Sequence, residues 1–201
     1  MTEPASRLMA AAFDPTARVF VAMDSRPTGL TDVAPSGLSP LLRALLTIDG
    51  TVTQFLESYQ AEPVNVVLID QQACTADVSA AWLVCNEAEA VLRRRSLLVG
   101  AESNQLYAFA ESVIVTSRLA PGMREGLEAE PGGLGKIILD SALETRREAL
   151  WFGSEPARDL PPQVQAYAPS EFLTRSYRIF AGGRPMMQVT ERFPWSDSGQ
   201  S

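Results

Sequence analysis

The chain has 201 residues, 46% of them hydrophobic and 20% charged, the composition of a globular protein with a core of its own. It contains no histidine, which excludes imidazole bases, histidine-dependent nucleophilic triads and His-ligated zinc or iron sites. Net charge is −7 with a positive side of sixteen arginines and one lysine, so a broad phosphate-binding surface and a nucleic-acid partner are not expected, while a local arginine pocket for a small anion is still open.

No apolar run is long enough to span a bilayer, and Glu3 precedes any apolar stretch at the N-terminus. Neither a membrane partner nor a signal peptide is expected, and the cytoplasm is the expected location. Cys74 and Cys85 are too few for a metal cage; a reduced chain is the plain reading, with one disulfide as the alternative.

Residues 1–37 read as an N-terminal extension, with a short helix near Ala5–Ala12, a strand in Ala17–Met23, and turns at Ser25–Gly29 and Pro35–Gly37. A single domain over 38–194 follows, with 195–201 as a flexible tail. Ser39 and Pro40 supply an N-cap and a first-turn proline for a helix whose apolar stripe is Leu41, Leu42, Leu45 and Leu46, ending near Asp49-Gly50. Thr51 and Gln54 have capping-box spacing for a second helix that buries Phe55, Leu56 and Tyr59.

Val64–Asp70 is rich in β-branched residues and predicts a strand, and Val78–Ala90 is helical or partly irregular. Val91–Val99 and Gln105–Val115 flank a loop at Gly100–Asn104, which predicts a hairpin. A short helix is expected between Pro121 and Gly133, another from Leu134, and a strand over Glu144–Phe152. Leu173–Phe180 and Pro185–Phe193 enclose Ala181-Gly-Gly-Arg184, the strongest hairpin signal in the chain. Tight turns in place of regular crossover helices favour an antiparallel α+β fold.

Two charges break the period-2 pattern. In the last strand Glu191 shares a face with Met187, Val189 and Phe193, and in the first hairpin Arg94 shares one with Leu92, Ser96 and Leu98, while Arg93 and Arg95 point the other way. Arg94 and Glu191 are then a buried ion pair, or both are exposed through a one-residue slip, or they line a cavity where the guanidinium binds a ligand carboxylate and the glutamate handles a hydroxyl or a proton. Glu111, on the side of Tyr107, Phe109, Val113 and Val115, is a further carboxylate in an apolar strand. It either makes a structural hydrogen bond beside the neighbours of Arg94 or caps an outer surface.

Asp49–Thr53 and Gly132–Gly135 each lead into a helix, where first-turn amides favour an anion; ordinary helix initiation is the plainer reading of both. The second fails as a phosphate loop, because Glu130 stands where the first glycine is required and Ile137 replaces the hydroxyl residue after Lys136.

The ordered series Asp49-Gly-Thr-Val-Thr53, Val91-Leu-Arg-Arg94, Ala110-Glu-Ser112, Leu134-Gly135, Trp151-Phe-Gly153, Tyr177-Arg-Ile-Phe-Ala-Gly-Gly-Arg-Pro185 and Val189-Thr-Glu-Arg-Phe193 resembles the chorismate pyruvate-lyase family, in particular its longer actinobacterial-type branch. The resemblance implies a chorismate lyase-like α+β fold: a mainly antiparallel sheet of about six strands, helices packed at one side and a buried ligand cavity. It also implies a carbon–oxygen lyase that removes pyruvate from chorismate to give 4-hydroxybenzoate for a quinone, glycolipid or polyketide-type pathway, with no cofactor and no metal. Arg94 matches the arginine that binds the ring carboxylate, Val52 and Leu134 match the assisting backbone amides, with Gly135 in the same turn, and Glu191 matches the glutamate at the hydroxyl and ether end. Glu111 departs from the short enterobacterial-type members, which carry a basic residue there, so the second carboxylate is held differently or the substrate differs. Residues 1–37 have no counterpart in those members, and Gln71–Glu89 matches poorly. The competing readings are a related enzyme running another elimination or cyclisation in secondary metabolism, and a non-catalytic module that binds small carboxylates, as related folds do in transcription regulators. The oligomeric state is open, with a monomer as the default.

Overall fold

The computed structural model describes residues 13–86, 88–129 and 133–195, and the helix expected near Ala5–Ala12 lies outside them. Five α-helices and six strands follow in chain order: α1 (Pro40–Thr47), α2 (Val52–Gln60), β1 (Val64–Thr75), β2 (Ala90–Gly100), β3 (Leu106–Val115), α3 (Pro121–Ala129), α4 (Leu134–Asp140), β4 (Thr145–Pro156), α5 (Pro162–Gln165), β5 (Glu171–Ala181) and β6 (Arg184–Trp195). The strands form one sheet in the order β1-β2-β3-β6-β5-β4 with every pairing antiparallel, as the α+β expectation requires. Two hairpins, β2–β3 and β5–β6, meet at the β3–β6 ladder, where Ala110 faces Glu191 and Ser112 faces Val189. Among the described residues no helix is long and apolar enough to cross a membrane.

The β5–β6 turn is Gly182-Gly183, with φ of 55° and 77°, the left-handed backbone that a two-residue hairpin turn needs and glycine supplies without strain. Helix α1 starts as expected, Ser39 Oγ accepting from Leu42 N–H at 3.3 Å ahead of Pro40. Helix α2 does not use the expected capping box. Thr51 holds the N-cap position without a side-chain cap hydrogen bond, and its methyl is pressed toward Gly135, where an added Cβ would come within 2.5 Å of it. Tyr59, expected inside, is 56% exposed, because α2 rests on the sheet through Val52 and Leu56 instead.

Alternation along the strands divides the core into two layers. On one face, Leu45 of α1 and Val52 and Leu56 of α2 pack with Leu98, Ala108 and Phe193, while Met123 and Leu127 of α3 and Ile137 and Ile138 of α4 pack with Ile114, Ile179, Met187 and Val189. Each of the larger side chains among these contributes about 1.5–3 kcal/mol of burial free energy. The other face carries α5, whose Val164 packs with Leu97, Val99, Phe109 and Phe172. Four helices therefore cover one side of the sheet as two pairs, α1/α2 and α3/α4, and leave a seam between them.

The strand expected at Ala17–Met23 is not formed. Asp14 Oδ1 accepts from Thr16 N–H at 2.8 Å and from Thr16 Oγ1 at 2.7 Å, which folds this stretch into turns, and a short 3₁₀ segment follows at Met23–Ser25. The segment still protects the edge of β4: Val21 N–H donates to Ala149 O at 3.0 Å, Ala22 N–H to Leu150 O at 2.8 Å, and Thr31 bridges Ser154. Gly153 permits that approach, since a Cβ there would lie 2.8 Å from Thr31 O. Strand β1 runs five residues beyond the expected Asp70, past an irregularity between Leu68 and Asp70, and β4 extends to Pro156. Trp195, placed in the tail by the sequence, pairs with Glu171 as the last residue of β6, and Cys74 and Cys85 are both free thiols.

The α2–β1 corner is tied to the β2–β3 loop by Glu62. Its carboxylate accepts from the Tyr107 hydroxyl, Ser103 N–H at 3.0 Å, Ser103 Oγ at 2.7 Å and Glu102 N–H at 2.8 Å. Those bonds, Tyr107 foremost, lower its pKa from the ordinary 4.5 to about 2. A depressed carboxylate adds stability above its unfolded pKa and loses it as pH falls through the folded one. Replacing Glu62→Gln should therefore flatten the fall of the melting temperature between pH 4.5 and pH 2; a variant whose melting temperature falls as steeply as wild type would contradict this role.

Candidate active site

The seam between the helix pairs opens onto a cavity of about 60 Å³ over the middle of the sheet. Its roof is the two helix-entry turns, Gly50–Thr53 leading into α2 and Gly133–Gly135 leading into α4; its floor includes Arg94, Ser96, Ser112, Tyr177, Val189 and Glu191. The five residues that the resemblance assigns to the site, Arg94, Glu191, Val52, Leu134 and Gly135, line this one space. Val52 and Leu134 are the first residues of α2 and α4, positions whose N–H groups have no partner within their own helix. Gly132 lies outside the described residues.

Arg94 is 2% exposed and sits opposite Gln71 on β1 and Ser112 on β3. Its Nη1 donates to Gln71 Oε1 at 2.7 Å, and Gln71 Nε2 in turn donates to Leu127 O at 3.4 Å, which links the guanidinium to α3. Desolvation lowers the Arg94 pKa from its usual value, but an arginine retains its charge. Its neighbours go the other way, as alternation requires: Arg93 pairs with Asp77 and Arg95 with Asp70.

Glu191 is 6% exposed, and its partner is not Arg94, so the simple Arg94–Glu191 ion pair is not what the chain forms. Arg175, directly across the β5–β6 ladder and 4% exposed, donates Nε to Glu191 Oε2 at 2.9 Å. Its Nη1 reaches Leu46 O at 3.1 Å and Ile48 O at 3.2 Å, at the C-terminal end of α1. The Tyr177 hydroxyl donates to Glu191 Oε1 at 3.0 Å. Burial, and then the charge on Glu191, push the Tyr177 pKa well above its usual 10, so the phenol remains a donor at neutral pH.

Glu111 lies on the opposite face. It pairs with Arg192, whose Nε donates to Glu155 Oε1 at 2.7 Å, in a network away from the cavity. Burial works against the charge on Arg192, but Glu111 and Glu155 outweigh it and raise its pKa. Among the described residues no group of three or more His, Cys, Asp or Glu side chains is placed to hold a metal ion.

A family model described as "Chorismate pyruvate-lyase Rv2949c-like" matches residues 46–197. The chain belongs to that family. A chorismate pyruvate-lyase of Mycobacterium leprae is 32% identical over 158 residues, covering 76% of this chain and 73% of the relative. One from Mycobacterium tuberculosis H37Rv is 30% identical over 175 residues, covering 82% and 84%. Among solved structures, the effector domain of PhnF from Mycobacterium smegmatis superposes with a TM-score of 0.57 at 15% identity, over 72% of this chain and 88% of that one; PhnF itself gives 0.55 at 16% identity, over 72% and 64%. At that identity the likeness concerns the fold alone.

Four cavity or supporting residues went unread in the sequence of this chorismate pyruvate-lyase family member: Gln71, Arg147, Arg175 and Tyr177. A period-2 reading of β5 would have found Arg175, which shares its parity with Leu173, Tyr177 and Ile179. Gln71 had no local signal, because its role comes from facing Arg94 across a ladder. Replacing Arg175→Met leaves the buried Glu191 without its counter-charge and should cost about 3–5 kcal/mol in urea unfolding, with part regained in the Arg175→Met, Glu191→Gln double variant. A loss below about 1 kcal/mol, in the range of an exposed pair, would contradict the pairing.

Proposed function

We propose that this chain carries out its family's reaction, eliminating pyruvate from chorismate to give 4-hydroxybenzoate, in the cavity between the helix-entry turns and the sheet. The observation that carries the reading is the buried arrangement itself: two buried side chains of opposite charge, Arg94 on β2 and Glu191 on β6, line the same cavity. Chorismate needs little more. Breaking the C3–O bond and removing the proton from C4 makes the ring aromatic, and the departing enolpyruvate takes up a proton at carbon to become pyruvate. The protein has to orient a dianion, offset its charge and handle one proton.

In this reading Arg94 grips the ring carboxylate through two parallel N–H···O bonds, with the first-turn amides of Val52 and Leu134 on the same anion. Gln71 holds the guanidinium in place. Glu191 lies at the other end of the ring, accepting from the C4 hydroxyl and handling the proton, while Arg175 and Tyr177 fix both of its oxygens and keep it from turning away. Gly135 lets the two roof turns meet, because Thr51 occupies the space a Cβ would need.

Purified protein incubated with chorismate should release pyruvate and 4-hydroxybenzoate in equal amounts. Binding without products, or products of another kind, would contradict the reading. Glu191→Gln should lower kcat about 100–10,000-fold with product affinity largely kept, and turnover near wild type would overturn its role. Arg94→Ala should weaken 4-hydroxybenzoate binding roughly 10–150-fold by calorimetry, the worth of about 1.5–3 kcal/mol for a hydrogen bond to a charged group; unchanged affinity would remove it as the anchor.

A further inference from the structure

Resting on that reaction, we infer that Arg147 binds the second carboxylate of the substrate, the one on the enolpyruvyl arm. Arg147 lies on β4, while Arg94 lies on β2, and Glu191 of β6 stands midway in the strand order β2-β3-β6-β5-β4. Both arginine side chains nevertheless line the one cavity. A dianion with its ring carboxylate on Arg94 and its reacting carbons near Glu191 extends its remaining carboxylate toward the β4 side.

The bonding of Arg147 leaves donors to spare. Its only ion pair among the described residues is with Asp49, at a long 3.9 Å, and Asp49 is 78% exposed, a pairing that contributes little in water. Among the described residues its Nε is buried and has no hydrogen-bond partner, although the side chain is only 19% exposed. An unmatched buried donor is costly, and a carboxylate seated against Nε and one terminal nitrogen would satisfy it with bidentate geometry. Arg146 next to it has a different use: it pairs with Glu148 and lies 4.1 Å from the Phe180 ring centroid. Room for the arm is present as well. A second pocket of about 280 Å³, lined by Ile48, Asp49 and Ala149, shares Arg147 and Tyr177 with the catalytic cavity, so these two side chains stand where the spaces adjoin. Glu111, itself an anion and paired with Arg192 on the opposite face, does not bind this carboxylate.

The two ligands separate this role from simple structural support. 4-Hydroxybenzoate lacks the enolpyruvyl carboxylate, so Arg147→Met should leave its affinity within about twofold of wild type, while kcat/KM for chorismate falls roughly 10–100-fold. Arg147→Lys, which keeps the charge but loses the fork, should recover part of the loss. Chorismate turnover by Arg147→Met within about twofold of wild type would overturn the assignment, as would equal losses for chorismate and product, which indicate a general disturbance of the cavity. Failure of the wild-type protein to turn over chorismate would instead overturn the proposed reaction, so the two failures are distinguishable.

Discussion

The buried pair of Arg175 and Glu191 is the constraint on which the cavity depends. Two charges face each other across the β5–β6 ladder, and the arginine's Nη1 donates to Leu46 O and Ile48 O at the end of α1. Those carbonyls belong to the last turn of a helix, where the dipole is negative and a cation is welcome. One arginine therefore satisfies the carboxylate, terminates α1 and sets the position of the Asp49–Thr53 turn that roofs the cavity. Glu191 is held at a fixed place in the cavity wall because its charge is compensated by Arg175, and a water-excluded carboxylate without that partner would be expensive.

Strand alternation assigns the rest of the charge. On the outer face Arg95, Arg192, Asp70, Glu111 and Glu155 compensate one another in pairs and short chains. On the inner face Arg94, Arg147 and Glu191 line one small cavity beneath the first turns of α2 and α4. A chain of net charge −7 thus carries two arginines in one inner cavity, where low dielectric makes each charged contact stronger than at the surface. Tyr177 is held as a phenol by burial, which makes it a permanent donor to Glu191 and a fixed wall beside Arg147.

Much of this architecture was legible in the sequence where a residue's local context decided its place. Ser39-Pro40 marked the start of α1, Gly182-Gly183 marked the hairpin turn, and parity alone sent Arg94 and Glu191 inward and Arg93 and Arg95 outward. Most of what could not be read depends on contacts distant in sequence. Thr51 looked like half of a capping box, yet its side chain is committed to Gly135, more than eighty residues away. Ala17–Met23 has strand-like residues, but the local bonds of Asp14 turn the chain before it can form a ladder. Arg175, the partner of Glu191, does have a local signal, the inward parity it shares with Leu173, Tyr177 and Ile179. Gln71 and Arg147 acquire meaning only when the sheet order places β1 and β4 around the same cavity as β2 and β6.

The most direct test of the whole arrangement is a crystal structure of the protein with 4-hydroxybenzoate. The carboxylate is expected in bidentate contact with Arg94 and within hydrogen-bond reach of the Val52 and Leu134 amides, and the phenolic hydroxyl on Glu191. A product bound in the reverse sense, with its carboxylate beside Glu191, or seated on the outer face beside Arg95 and Arg192, would contradict it.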